Sequence, residues 1–366
     1  MLKALEHKIK ATVFNGCRLL LRKRRTDLTV DPMKLQRVIF LRPEKIGDMV
    51  ISLPTFEALR KAYPHIKISV LASPGNQSLI AQDPGFDQVF LYRKEWGDID
   101  RLKQVRSAKF DAVFDMIDGD SVTTLFYSQL LGRGAVRIGI GKEKHARYYD
   151  FNHVHEDGIG GHIVDNTLKL LEPLGIDVSN VTGFVPPYIP NESQERVDSF
   201  IGQTTRPEDL VLGLNLSAGR PNRIWPGEAT EELCRRLLEE MPDLRLVLIA
   251  TPEDRERGAH LLDTISDSRL LLVPDKLSLL DVSALISHLR LLISPDTSLI
   301  HIARSFRVPV VGLYNKAGKN FRRWQPYRQV EGAIVGDHID TIFDITPLQV
   351  LQRVQLMLSE MSGVDR

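Results

Sequence analysis

Residues 289–303 read LRLLISPDTSLIHIA, and this stretch decides the fold of the chain. An apolar strand over 289–293 is followed at once by Asp-Thr-Ser and then by residues with helical apolar spacing. A strand that runs straight into a helix is the repeating unit of an α/β sheet. The first-turn amides of such a helix carry partial positive charge, so a phosphate can bind there beside Thr297 and Ser298. A plain capped helix with a core-facing His301 is the alternative.

A second junction of the same kind lies at residues 37–54, which read RVIFLRPEKIGDMVISLP. The apolar run 38–41 predicts a buried parallel strand, and residues 49–62 have helical apolar spacing. Gly47 permits a tight turn between them. Asp48 is therefore placed at a helix start beside the carboxyl end of a strand. That position suits an N-cap and equally suits a functional carboxylate, and the spacing leaves both open.

Composition sets the outer limits on class and location. The chain has 366 residues, of which 43% are hydrophobic and 26% charged, which is typical of a globular protein with two domains. Its two cysteines, Cys17 and Cys234, lie far apart and predict neither a disulfide framework nor a zinc site. No apolar run is long enough to span a bilayer, and the N-terminus lacks a signal pattern. We therefore expect a cytoplasmic protein.

The first 35 residues form a basic arm. Residues 1–31 hold eight Lys and Arg against three Asp and Glu, a net charge of +5, which leaves −4 for the rest of the chain. Apolar residues recur at helical spacing between the basic ones, which describes a basic amphipathic helix. Such a helix either lies on an anionic membrane surface or packs on its own domain. Nucleic acid is not expected as a partner, because no recognition motif accompanies the arm.

The body of the chain repeats strand and helix in two series. The first series predicts a doubly wound domain over residues 36–187, and a proline-rich linker at 184–191 ends it. The second predicts another over 188–345, followed by a C-terminal helix at 346–366 that packs back on the first domain. Two such domains would face each other across a cleft lined by strand ends. The predicted strands are 37–41, 67–72, 88–91, 111–116, 135–138, 210–215, 244–249, 269–273, 290–293 and 309–313.

Polar loops follow several of these strands. Residues 214–226 combine small residues, including Ser217, with two arginines, Arg220 and Arg223, that could clamp a phosphate. Glu253 and Asp254 follow the strand at 244–249, where an acidic residue could accept hydrogen bonds from ribose hydroxyls or cap the next helix. The alternative is that the two arginines are simply exposed to solvent and bind no ligand.

Two further patterns are weighed and set aside. Asp118 and Asp120 match an Asp-x-Asp metal motif, but a three-residue match is common by chance, so contact with an acceptor is the better interpretation. The histidines at 153, 155 and 162 lie in a glycine-rich loop and are interpreted as polar surface. No metal and no cofactor are predicted.

Taken together, five segments resemble glycosyltransferase family 9, the bacterial heptosyltransferases that build the lipopolysaccharide inner core. They occur in family order, and the resemblance covers nearly the whole chain after the basic arm. The segments are Gly47-Asp48 followed by Pro54, Arg223-x-Trp-Pro, Pro-Glu-Asp at 252–254, Lys-Leu-Ser-Leu at 276–279, and Asp296-Thr297-x-x-x-His301.

The resemblance implies a GT-B architecture and a metal-independent, inverting transfer of heptose from ADP-heptose to a lipid-anchored core oligosaccharide. Asp48 would be the general base. Arg223, Ser217 and residues of the 296–301 element would hold the donor phosphate and sugar. The roles implied for the other residues are as follows: donor binding by Asp296, Thr297, Ser298 and His301, nucleoside binding by Asp254, Glu253 and Leu277, and acceptor binding by Arg42, Lys45, Asp118 and Asp120.

Two positions depart from the family pattern. Ser298 stands where the family commonly has Gly, and Arg223 stands where it usually has Lys. The first adds a side chain where phosphate approaches the backbone, and the second replaces a point charge by a planar fork. The alternatives are therefore a family 9 transferase with another donor or a protein acceptor, and a nucleotide-sugar-binding protein without catalysis.

Overall fold

The structure is a computed structural model, and it describes residues 21–25, 28–93, 105–155, 161–316 and 318–364. The chain divides into two compact units, Met1–Thr182 and Gly183–Arg366. The division falls slightly before the predicted boundary at residue 187. Most of the predicted basic arm, residues 1–20, lies outside the described residues.

The first unit contains a six-stranded sheet in the order β3-β2-β1-β4-β5-β6, and all neighbouring strands are parallel. β1 is almost completely buried, as expected for a strand covered by helices on both faces. The strands are β1 (Arg37–Arg42), β2 (Lys67–Ala72), β3 (Gln88–Leu91), β4 (Ala112–Asp115), β5 (Val136–Ile140) and β6 (Phe151–His153). The helices are α1 (Ile46–Val50), α2 (Leu53–Ala62), α3 (Val122–Leu131) and α4 (Ile163–Leu168).

The second unit repeats this plan with the order β12-β11-β10-β7-β8-β9, again with parallel neighbours. The prediction of two doubly wound domains is therefore confirmed. The strands are β7 (Leu210–Asn215), β8 (Leu244–Ile249), β9 (Leu270–Leu272), β10 (Leu291–Pro295), β11 (Val310–Tyr314) and β12 (Ala333–Val335). The helices are α5 (Asn191–Thr204), α6 (Gly227–Glu240), α7 (Arg255–Ile265), α8 (Leu279–Ser287), α9 (Ser298–Ser305), α10 (Gly318–Trp324) and α11 (Pro347–Val364).

Several elements differ from the prediction. The helix predicted over 49–62 is two helices, α1 and α2, because the chain turns at residues 51–52 and Pro54 starts the first turn of α2. The strands β6 and β12 were missed because each is short and mostly only partly buried or exposed, so neither shows a clear pattern. α5 was also missed, since only Ser193 and Val197 on it are buried.

Each sheet packs its own core. In the first unit the rings of Phe40 and Phe114 stack at 4.4 Å, and Phe56 meets Phe40 edge-on at 5.0 Å. The second core is rich in leucine and includes Val350 and Val354 of α11. The buried face of α11 therefore packs within the second unit, and the predicted contact of this helix with the first domain stays a prediction.

The end of the basic arm is held on the first unit by a buried carboxylate. Asp150, whose side chain is fully buried, accepts hydrogen bonds from the backbone N–H groups of Arg25 at 2.8 Å and Arg137 at 3.0 Å, and from a side-chain nitrogen of Arg22 at 3.2 Å. The buried guanidinium of Arg137 donates in turn to the carbonyls of Arg22 and Lys23. Among the described residues, no helix is both long and apolar enough to cross a membrane.

We expect Asp150→Asn to lower the free energy of unfolding at neutral pH. The free energy of unfolding of this variant should also fall less steeply as the pH is lowered. Burial opposes ionisation of Asp150, but the N–H groups of Arg25 and Arg137 and the Arg137 charge outweigh it and hold the pKa of the carboxyl below its usual value. Such a group stabilises the fold above its unfolded pKa, and this contribution is lost as pH falls through the lowered folded value.

Removing one partner from a buried ionic cluster costs about 3 kcal/mol of unfolding free energy. Urea unfolding at neutral pH and near pH 3 should show a difference from the unmodified chain that shrinks in acid. Asp263→Asn, at an exposed position, is the control and should change little. Equal stability of Asp150→Asn and the unmodified chain at neutral pH would show that the cluster contributes nothing.

Candidate active site

The order of the strands marks one functional edge in each unit. The chain reverses direction across the sheet between β1 and β4 in the first unit and between β7 and β10 in the second. In open α/β sheets ligands bind at the carboxyl ends of the strands beside such a switch point. Asp48, Asp118, Ser217 and Asp296 follow these four strands, one after each.

Asp48 is both a helix cap and an available carboxylate. It is the third residue of α1, and its Oδ2 accepts the backbone N–H of Lys45 at 3.2 Å. Its Oδ1 accepts no hydrogen bond from the described residues and lies 4.0 Å from Nη2 of Arg42. The Asp48 side chain is 13% exposed. The two readings that the sequence left open are therefore compatible, because each uses a different oxygen.

The side chain of Arg42 holds the backbone of Asp48 in place. Its side chain is 2% exposed, and Nε donates to the carbonyl of Asp48 and to Oγ of Ser52, both at 2.9 Å. Its Nη1 donates to the carbonyl of Met116 at 2.7 Å, which ties the end of β1 to the end of β4. A group so enclosed is not available to an acceptor, so the prediction that Arg42 binds the acceptor is wrong for this structure. Lys45 is exposed, and its acceptor contact stays a prediction.

The two carboxylates after β4 have different partners. Asp120 accepts the backbone N–H groups of Lys144 at 2.9 Å and His145 at 3.0 Å, so it closes the loop after β5. Asp118 lies 2.8 Å and 2.9 Å, through its two oxygens, from Nε2 of His155. Asp118 is thus the better placed of the two for the acceptor, although that contact stays a prediction for both.

His155 was interpreted as polar surface, and that interpretation is wrong. The His155 side chain is 10% exposed and contacts Asp118 in the loop after β4. The fully buried Lys142 holds this loop in place. Nζ of Lys142 donates to the carbonyls of Ile117 and Gly119 at 2.6 Å and 2.8 Å and pairs with Asp115 at 3.0 Å. The sequence held no signal for this cluster, since the residues come from strands far apart in the chain and meet only in the sheet.

In the second unit, Asn215 joins the ends of β7 and β10. Its Nδ2 donates to Oγ of Ser294 at 2.9 Å and to Oγ1 of Thr297 at 3.2 Å, and its Oδ1 accepts the N–H of Ser217 at 3.0 Å. Thr297 is also the N-cap of α9, where its Oγ1 accepts the N–H of Leu299. Sequence reasoning missed Asn215, whose role depends on two strands that pair in the sheet.

Arg223 and Asp296 form an ion pair at this edge. Nη1 of Arg223 lies 2.6 Å from Oδ2 of Asp296, and the two side chains are 27% and 26% exposed. The structure therefore brings together two residues that the sequence assigned to the donor phosphate. Because their charges cancel here, a bound diphosphate has to compete with Asp296 for the guanidinium.

The helix α9 presents its first turn at the same edge. Ser298 is its first residue and is partly exposed, whereas the N–H groups of Leu299 and Ile300 already bond to the hydroxyl and the carbonyl of Thr297. An anion bound at this turn would have to replace these contacts or use the Ser298 hydroxyl. His301, one turn on, is 7% exposed and packs edge-on against Trp324 with ring centroids 5.6 Å apart. Packing limits its reach, and its donor contact stays a prediction.

The nucleoside candidates lie beside the ends of β7 and β8. Oγ of Ser217 accepts the N–H of Thr251 at 2.9 Å, and Oγ1 of Thr251 donates to Asp254 at 3.3 Å. Glu253 is exposed, and Leu277 is partly buried directly before the N-cap of α8. Asp254 and Ser217 thus share one network, and the nucleoside contacts stay predictions.

Changing Asp296 to Asn tests whether Arg223 is a phosphate ligand. The change removes the charge that occupies Arg223 but keeps the size of the side chain, so we expect tighter binding of a nucleoside diphosphate. The gain should reach about fivefold at most, because a partly exposed ion pair is worth roughly 1 kcal/mol or less. Calorimetric titration with ADP, UDP and GDP measures it, and Arg223→Gln is the matched variant that should weaken binding. Weaker binding by Asp296→Asn would contradict the assignment.

Comparisons with known proteins agree with this arrangement. Residues 100–342 match the model of glycosyltransferase family 9 (heptosyltransferase). The chain is 22% identical over 362 residues to lipopolysaccharide heptosyltransferase 2 of Salmonella typhimurium, with 88% of this chain and 99% of that protein covered.

Two solved structures show the same fold. The family 9 glycosyltransferase from Veillonella parvula has a TM-score of 0.73 at 20% identity, with 89% of this chain and 97% of that chain covered. The Escherichia coli heptosyltransferase WaaC with ADP has a TM-score of 0.66 at 19% identity, with 88% and 98% covered. Since the family model matches more than half of the chain, the protein belongs to glycosyltransferase family 9 and is a glycosyltransferase of the GT-B fold.

Proposed function

We propose that the protein transfers heptose from ADP-heptose to a sugar of the lipopolysaccharide inner core, with inversion and without a metal ion. The observation that carries the proposal is the partly exposed Asp48 carboxylate, which keeps one oxygen unbonded at the switch point of the first unit. Family membership and the names of relatives, which include a lipopolysaccharide core heptosyltransferase, support the sugar and the acceptor.

On the acceptor side, Oδ1 of Asp48 takes the proton of the attacking hydroxyl. The hydroxyl oxygen forms a bond to the anomeric carbon while the bond from that carbon to the ADP oxygen breaks. A single base on the face opposite the leaving group is sufficient for direct inversion. Asp118 and Lys45 are the proposed contacts with the acceptor sugar.

On the donor side, the departing ADP carries the developing negative charge. Arg223 replaces its bond to Asp296 by a bond to the diphosphate, and the first-turn amides of α9 with the hydroxyls of Thr297 and Ser298 bind the same group. Asp296, once released, and His301 are proposed to contact the heptose. The Thr297 hydroxyl is fixed by the Asn215 network before the substrate arrives, whereas Arg223 has to exchange its partner.

The nucleoside is proposed to bind beside β8. Asp254 and Glu253 accept hydrogen bonds from the ribose hydroxyls, and the backbone near Leu277 contacts adenine. Ser217 links this network to the loop that carries Arg223, so the nucleoside and the diphosphate contact one continuous set of strand ends.

Asp48→Asn is expected to lower kcat by about 10²–10⁴-fold, because general base catalysis contributes that much. Binding of ADP should remain unchanged, since Asp48 lies in the other unit from the donor residues. The assay is ADP release from ADP-heptose with a panel of lipopolysaccharides truncated within the inner core. Asp254→Asn is the matched variant, which should raise the KM for the donor. Full turnover by Asp48→Asn would show that the base is another residue.

Ser298 keeps two alternatives to the proposed function open. Its side chain narrows the space beside the phosphate site, which fits a family 9 transferase with another donor or a protein acceptor, or a protein that binds the nucleotide sugar without transfer. A preference for UDP or GDP over ADP in the titration would favour another donor. Absence of binding to all three nucleotides would favour the non-catalytic alternative.

We also propose that the enzyme works at the cytoplasmic face of the inner membrane, held there by its basic arm. The lipid anchor of the acceptor and the net charge of +5 over residues 1–31 support this location. Deletion of residues 1–20 is the appropriate test, because it retains Arg22 and Arg25 and thus the contacts with Asp150. The deletion should weaken sedimentation with vesicles that contain anionic lipid, and unchanged sedimentation would exclude residues 1–20 as the membrane contact.

A further inference from the structure

Arg42 is almost fully buried and makes polar contacts with four other residues. It holds the carbonyl of Asp48, the hydroxyl of Ser52 and the carbonyl of Met116, and its Nη1 also lies 2.7 Å from Oε2 of Glu44. Its Nη2 is buried and has no hydrogen-bond partner among the residues that the structure describes. A buried donor without a partner is costly, so its position needs an explanation.

The carboxylate of Asp48 is a charged group close to Nη2. Oδ1 of Asp48 lies 4.0 Å away, which is too far for a hydrogen bond but close enough for strong electrostatic attraction. Oδ1 accepts no hydrogen bond from the described residues, so its lone pairs stay available to a proton. The separation therefore places the Arg42 charge beside the carboxylate without occupying Oδ1.

Glu44 competes for the same guanidinium. Burial raises the pKa of Glu44, the charge of Arg42 opposes this rise, and the negative charges of Asp48 and Asp115 add to it. Asp115 is itself paired with Lys142. On the other side, α1 contacts the short helix Gln77–Leu79, and residues 73–80 carry no charged side chain. Glu44, Asp48 and Arg42 thus form one small charged group, in which two carboxylates share one buried cation.

We propose that Arg42 is the positioning residue of the base, and that Glu44 sets how strongly the Arg42 charge stabilises the Asp48 carboxylate. The proposal rests on the proposed function of Asp48. Arg42 acts through Asp48 and does not touch the acceptor. Glu44, whose side chain is 31% exposed, is the most exposed member of the group.

The test is the pH dependence of kcat/KM for Glu44→Gln. The change removes a negative charge near Asp48 but keeps an oxygen that can accept from Nη1 of Arg42. We expect the acid limb of the profile to move to lower pH by about half a unit to one unit, since like charges at this range shift a carboxyl by that order. A limb that stays in place or moves to higher pH would overturn the proposal.

Two further variants separate charge from packing. Arg42→Gln removes the cation and should move the acid limb to higher pH with a lower kcat, in the direction opposite to Glu44→Gln. Ser52→Ala removes a neighbour that bonds both Arg42 and the Asp48 carbonyl but carries no charge, so it should lower stability and leave the limb in place. If Arg42→Gln does not fold, Glu44→Gln with Ser52→Ala still decides the question.

Failure of this inference can be told from failure of the proposed function. If Asp48→Asn is inactive but Glu44→Gln leaves the acid limb unmoved, the base is retained and the role of Glu44 and Arg42 is wrong. If Asp48→Asn is fully active, the base itself is wrong, and the inference fails with it.

Discussion

Parallel strands leave their last backbone carbonyls without sheet partners at one edge, and this constraint shapes everything found at that edge. In the first unit Arg42 binds the carbonyls of Asp48 and Met116, while Lys142 binds those of Ile117 and Gly119. In the second unit Asn215 binds the hydroxyls of Ser294 and Thr297 and the N–H of Ser217 instead of carbonyls. The residues that satisfy the backbone are the same ones that position the candidate functional groups, since both requirements arise where strands end.

The charges at these edges are largely paired within the protein. Arg223 is paired with Asp296, Lys142 with Asp115, and Arg42 with Glu44. Pairing lowers the free-energy cost of burying these charges, because an isolated ion in a poorly hydrated site is strongly destabilised. In the proposed reaction, substrate binding at the second edge exchanges one anion for another at Arg223.

The sequence predicted the long, strongly patterned elements well. The strands at 37–41, 67–72, 210–215 and 244–249 lie within a residue or so of the structure, because nearly continuous apolar runs are characteristic of parallel sheets. The failures include β6, β12 and α5, whose burial is too slight to leave a pattern. The candidate site divides in the same way. Asp48, Arg223 and Asp296 were named from their motifs, whereas Asn215, Lys142 and His155 were not.

By itself the sequence determined the fold class, the family and the residue types that end each strand, because local hydrophobic periodicity and short motifs are encoded within a few consecutive residues. Only the tertiary structure decided which of those residues meet. Strand order and register bring together Arg223 with Asp296 and Asp118 with His155. They also bury Arg42. Such contacts depend on the packing of the whole sheet, and no local pattern in the chain reports them.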